Sequence, residues 1–197
     1  MQNEANVSLS PLELELVCNA SWIYTKNNII QKVCQLFGNL SAVYPLVLPQ
    51  AKLPEEVQAS APKISRGEQY QGLPYVMLDY PRFFTRTDVC AVRTFFWWGH
   101  SFSVTLHVKG VYKQQYLPQI TNALQQPNFS DAWLYTGTDE WMHHIEDPTW
   151  KRAPAVNAAE LAALPLIKIQ FHLPLLQWKE SSSFLEEKFM VFAAVLQ

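Results

Sequence analysis

Two runs of alternating residues, Ala91 to Trp98 and Ser101 to Val108, flank the dipeptide Gly99-His100. A two-residue loop that opens on glycine marks a type II′ hairpin, because glycine supplies the positive φ that the turn needs. Such a turn fixes the register of the two strands. On that register Trp98 opposes Ser101, Phe96 opposes Ser103, Thr94 opposes Thr105 and Val92 opposes His107. The other face pairs Trp97 with Phe102, Phe95 with Val104, Arg93 with Leu106 and Ala91 with Val108. The second face is nearly all apolar and is expected to be the core, each large side chain contributing roughly 1.5–3 kcal/mol on burial. The first face mixes rings, hydroxyls and an imidazole, which suits a wall that lines a ligand.

The run Tyr75 to Tyr80 precedes the hairpin and reads as a third strand, with Tyr75, Met77 and Asp79 on one side. Pro81 is expected to end it, since proline cannot donate to a ladder. Farther on, Ala132 to Thr136 reads as a short strand. Leu166 to Leu173 alternates Ile167, Ile169, Phe171 and Leu173 inward with Lys168, Gln170 and His172 outward. Helix starts are legible at Ser10-Pro11-Leu12-Glu13, at Thr25, at Asn157-Ala158-Ala159-Glu160 and at Ser183-Phe184-Leu185-Glu186, the first and last of them capping boxes. Tyr112, Tyr116, Ile120 and Leu124 form one more helical stripe, with Pro118 inside it. The expected fold is α+β: an antiparallel sheet of four or five strands built on a central hairpin, with N- and C-terminal helices packed mainly on one face.

One domain of 197 residues is expected. Residues 1–44 form a helical segment, 45–74 a Pro-rich wrapping arm with short helices near Pro54–Gln58 and Ser65–Gln69, and 75–197 the sheet and final helix. Pro148 to Pro154 reads as loop. Charged residues are 16% of the chain and aromatics 13%, a balance that favours hidden surface through a second copy or a ligand. A net charge of −2 gives no excess of cations for phosphate contacts, which argues against nucleic acid. No apolar run approaches a membrane span, and the N-terminal text lacks the pattern of a signal peptide. Three cysteines without metal spacing fit a reducing compartment, so a cytoplasmic location is expected.

No phosphate loop, dinucleotide fingerprint, metal-helix motif or nucleophile elbow is present, and no cofactor is expected. Ligand contacts are expected from Phe96, Trp98, Ser103, Thr105 and His107, with Arg82 and Arg93 offering charge to an anion. His107 with Asp79 is the one acid–base pair that the strands could bring together. The plainer alternative is a structural Asp79–arginine pair beside an interior histidine. The run Asp139 to Asp147 holds the densest ionisable cluster; on a helix, Glu140 and His144 would share a face that could hold a metal, but a solvated turn is the favoured reading and no metal is expected. Three functions follow. The first is a binding or interaction module, as a homodimer or with a small polar ligand. The second, less favoured, is an enzyme using His107 and Asp79. The third is a structural subunit of an assembly.

Overall fold

The computed structural model describes residues 7–48, 53–145 and 148–197. Seven antiparallel strands form one sheet: β1 (Lys63–Tyr70), β2 (Leu73–Phe84), β3 (Val89–Trp97), β4 (Ser101–Lys109), β5 (Trp133–Tyr135), β6 (Trp150–Arg152) and β7 (Leu166–Pro174). Their order across the sheet is β1-β2-β3-β4-β7-β5-β6. The sheet is larger than the four or five strands expected. β1 lies inside the Pro-rich 45–74 stretch, and β6 inside the 148–154 stretch read as loop. The turn Tyr70-Gln71-Gly72-Leu73 explains β1: Gln71 and Gly72 have φ of 51° and 77°, the two positive values of a type I′ hairpin.

The central hairpin is present, but with a different register. His100 N–H donates to Trp97 O at 3.2 Å, closing a turn over Trp98 and Gly99. Gly99, third in that turn, has φ 76°, and Trp98 is not among the positive-φ residues, so the turn is type II. The loop therefore has three residues, and Trp97 opposes Ser101, Phe96 opposes Phe102, Phe95 opposes Ser103 and Arg93 opposes Thr105. Each strand alternates as its sequence says, but the two strands are matched one residue off the expected pairing. Val92, Thr94 and Phe96 join Phe102, Val104 and Leu106 on the inner face. Arg93, Phe95 and Trp97 join Ser103, Thr105 and His107 on the outer one.

The helices are α1 (Pro11–Cys18), α2 (Ala20–Val47), α3 (Glu55–Gln58), α4 (Val111–Ala123), α5 (Ala158–Ala163) and α6 (Ser181–Val195). The inner face meets α2, α3, α4 and α6, whereas α1 has no buried residue. α2 starts at Ala20, not after Thr25, because Asn19 caps it through Ser21 N–H. It then runs on with Pro45 in its last turn. Ile30, Val33, Phe37, Leu40 and Tyr44 of α2 are buried with Leu185, Phe189 and Phe192 of α6 against the inner strand residues. The Tyr44 and Phe189 rings stack at 3.6 Å, and Tyr44 Oη lies 3.0 Å from Thr94 Oγ1, which accounts for the one hydroxyl on the inner face of β3. α6 begins at Ser181 without a side-chain cap, two residues before the expected capping box. Among the described residues no helix is long and apolar enough to cross a membrane.

Pro81 does not end β2. The ladder passes it through a bulge: Asp79 opposes Arg93 while Arg82 opposes Ala91. A bulge leaves a residue out of the ladder, which is where a proline without an N–H belongs. It also changes parity. Past the bulge, Arg82 and Phe84 come onto the same outer face as Asp79, whereas an unbroken strand would have turned them inward.

Candidate functional site

Part of the outer face is covered by a strap, residues 136–145, that follows β5. The strap is turn and coil rather than the short helix expected at 138–145. Polar side chains of the sheet hold its backbone. Lys168 Nζ donates to Glu140 O at 3.0 Å and also to Met142 O. Gln170 Nε2 donates to His143 O at 3.0 Å. Tyr135 Oη accepts from Asp139 N–H at 3.0 Å, and Tyr70 Oη accepts from His143 N–H at 2.7 Å. Lys168 and Gln170, the "outward" residues of β7, are thus 1% and 0% exposed. Residues Glu146 and Asp147 of the acidic run lie outside the described part of the chain.

Beneath the strap sits a buried charged cluster. Arg93 grips Asp79 with two parallel bonds, Nε to Oδ1 at 2.7 Å and Nη2 to Oδ2 at 3.0 Å. Its remaining nitrogen Nη1 lies 2.9 Å from His143 Nε2. Because Arg93 can only donate, His143 Nε2 is the acceptor and the imidazole is neutral in this contact. Burial first, and then Lys168 and Arg93, hold His143 well below its ordinary pKa. Burial likewise pulls Lys168 down to about 7, with Arg93 the next cause. His107 is lowered to about 3 by burial, then by Lys168, Arg93 and Lys109. Its Nε2 lies 3.8 Å from Glu140 Oε2, but a neutral imidazole makes no ion pair there. Glu140 instead pairs with Lys109 at 2.5 Å.

The cluster borders two openings. A cavity of 100 Å³ is lined by Phe84, Thr85, Val89, Arg93, His107, Glu140 and Trp141. A cleft of 380 Å³ runs over β1, β2 and β3 between Lys63, Ser65, Tyr75, Met77, Asp79, Arg82, Phe84, Arg93 and Trp141. Phe84, Arg93 and Trp141 border both. The Arg93 guanidinium lies 5.8 Å from the Phe84 ring centre and 5.9 Å from that of Trp141. Two buried nitrogens at these openings, Arg82 Nε and His107 Nε2, make no hydrogen bond. Buried polar atoms are normally paired, and leaving one unpaired costs about 1–3 kcal/mol.

The residues singled out from the sequence are therefore divided. Asp79, Arg82, Arg93 and His107 gather at the openings. Ser103 and Thr105 share that face but are buried under the strap. Phe96 and Trp98 point the other way: Phe96 packs on Phe102 at 5.2 Å and Trp178 at 6.1 Å, in the helical core. Asp79 is occupied by Arg93, so the carboxylate near His107 is that of Glu140. Glu140 and His144 have separate partners, His144 Nδ1 lying 2.8 Å from Tyr70 Oη. Among the described residues no group of three or more His, Cys, Asp or Glu side chains could hold a metal. Tyr70, Trp141 and Lys168 were not singled out. Gln71-Gly72, read as a hairpin turn, would have placed Tyr70 in a strand beside β2. Searches against family models, curated proteins and solved structures gave no match to this chain.

Proposed function

We propose that the protein is a binding module for a small anion, a carboxylate or phosphate carried on an apolar or aromatic body. The ligand lies in the cleft over β1 to β3, with its charged end toward Arg82, Arg93 and the His107 cavity. The observation that carries this reading is the pair of buried, unpartnered nitrogens, Arg82 Nε and His107 Nε2, at openings that share Arg93. The charges agree: Lys63, Arg82 and Arg93 face Asp79, which Arg93 already neutralises, and Glu140 at the smaller cavity is paired with Lys109. Tyr75, Phe84 and Trp141 offer faces for the body of the ligand, and 380 Å³ falls within the range of small-molecule sites. The three free cysteines, Cys18, Cys34 and Cys90, fit a reducing, cytoplasmic setting.

An acid–base enzyme is the second reading. It rests on neutral His107 standing 3.8 Å from Glu140 at the wall of the smaller cavity. Calorimetric titration with benzoate, phenyl phosphate and benzylamine tests the binding reading. The two anions are expected to bind and the amine not to. Arg82→Met removes a hydrogen bond to a charged group, worth about 1.5–3 kcal/mol, and is expected to weaken the anions roughly tenfold to a hundredfold. Anions that bind no better than the amine, or binding indifferent to Arg82→Met, would remove the proposal. Turnover of a bound ester that stops in His107→Gln while binding persists would favour the enzyme.

A further inference from the structure

The N-terminal arm is a second place where the molecule is left incomplete. α1 has a full capping box, with Ser10 Oγ accepting from Glu13 N–H at 3.3 Å and Glu13 Oε2 accepting from Ser10 N–H at 2.7 Å. The chain therefore specifies a helix here, yet none of its eight residues is buried. An isolated helix shorter than about 12–15 residues is marginal in water. Leu12, Leu14, Leu16 and Val17 are 63%, 54%, 40% and 69% exposed, and Trp22, Ile23 and Tyr24 continue the exposure into α2. The first tie of this arm to the body is Lys26, whose Nζ pairs with Glu68 Oε2 of β1 at 2.8 Å; Ala20 to Tyr24 before it are exposed. Apart from Glu13 and Glu15 every residue of α1 is apolar, and a helix with that much apolar surface belongs against protein. The arm's exposed apolar residues offer on the order of 1,000 Å², against about 800 Å² per partner in a standard interface.

We propose that a second copy of this chain covers the arm by reciprocal exchange, each α1 lying in the other protomer's groove between α2 and β1. That groove, 690 Å³ in volume, is lined by Ile30, Cys34 and Tyr75, by Asn27 and Gln31, and by Arg66 and Glu68. Lys26 pairs with Glu68 at 2.8 Å, which leaves Arg66 as the groove's unmatched charge among the described residues. Residues 7–25 contain Glu13 and Glu15 and no lysine or arginine, so α1 brings carboxylates toward Arg66. The same absence of cations works against an anionic membrane surface, which recruits basic segments. Exchange about a two-fold axis buries both arms and both grooves and leaves no open end for further addition. The groove shares Tyr75 with the anion cleft, but the charged residues tested differ, Arg66 here and Arg82 there, so the two readings fail separately.

Analytical ultracentrifugation of the whole chain tests it. The expected mass is twice the 22.7 kDa of one chain. Leu12→Glu with Leu16→Glu is expected to give monomer with unchanged far-UV circular dichroism, since neither side chain is buried in the single chain. Arg66→Glu is expected to weaken the dimer, and Glu15→Lys added to it to restore the dimer. A wild-type monomer at every concentration would overturn the proposal, as would a dimer that ignores both sets of substitutions. Pelleting of the arm-intact protein with phosphatidylcholine–phosphatidylglycerol vesicles, lost in the Leu12→Glu, Leu16→Glu variant, would overturn it in favour of a lipid surface.

Discussion

Mild acid should destabilise this protein through His107, and the size of the effect follows from where that residue sits. Its imidazole lies under the strap with Lys168, Arg93 and Lys109 around it, and its folded pKa is lowered from 6.5 to about 3. The unfolded chain therefore takes up a proton first as the pH falls. His107's contribution is fully present above pH 6.5 and is lost progressively between 6.5 and 3. At 1.36 kcal/mol per pH unit the whole window is worth roughly 5 kcal/mol, and about 3 kcal/mol is gone at pH 4. His143, shifted in the same direction, adds to the loss. The perturbation is His107→Gln, which keeps a polar side chain and removes the titration. Urea unfolding followed by tryptophan fluorescence at pH 7 and pH 4 gives the readout. The variant is expected to start lower at pH 7 but to lose about 3 kcal/mol less than wild type on acidification. Equal losses in the two proteins would refute the burial of a neutral His107.

Other consequences concern the cluster and the strap. Arg93→Met leaves the Asp79 carboxylate buried and unpaired and should cost about 3–5 kcal/mol in urea unfolding; adding Asp79→Leu should recover much of it, because the pair is replaced as a unit. Failure of the double variant to improve on the single one would show that the pair is not isolated as described. Tyr70→Phe removes the acceptor for His143 N–H and the partner of His144, so strap amides should exchange faster while β3 and β4 amides keep their protection. Uniform acceleration across the sheet would mean that Tyr70 supports the body rather than the strap. Lys168→Met removes two donors to strap carbonyls, and should likewise raise exchange at Met142 and His143 before it alters the helical face.

Much of the sheet was legible because alternation within a strand is a local signal. Ile167, Ile169, Phe171 and Leu173 on β7 face the core, and Lys168 and Gln170 face away, as the text says. The capping box at Ser10 is also local and is present, as is the helix start at Asn157, whereas the box read at Ser183 is bypassed by a helix that begins at Ser181. What was not legible depends on how strands meet. The Gly99 dipeptide suits a II′ turn as well as a longer type II loop, and the choice moves Phe96 from a ligand wall to the core. Pro81 reads as a stop because its missing N–H is local; the bulge that accommodates it is set by the pairing with β3. "Outward" was equated with solvent for Lys168, whereas a strap with little periodicity covers it. The cleft was half visible: Arg82, Arg93, Asp79 and His107 carry chemistry by type, while Trp141 reaches it only through folding.

The register of the hairpin decides which rings lie under the strap, and with them the whole outer face. Cross-strand nuclear Overhauser contacts between α-protons of β3 and β4 measure it directly. Contacts are expected among the pairs Thr94–Val104, Phe95–Ser103 and Phe96–Phe102. Contacts joining Phe96 to Ser103 and Thr94 to Thr105 would return Phe95 and Trp97 to the helical core and contradict the strap-covered site.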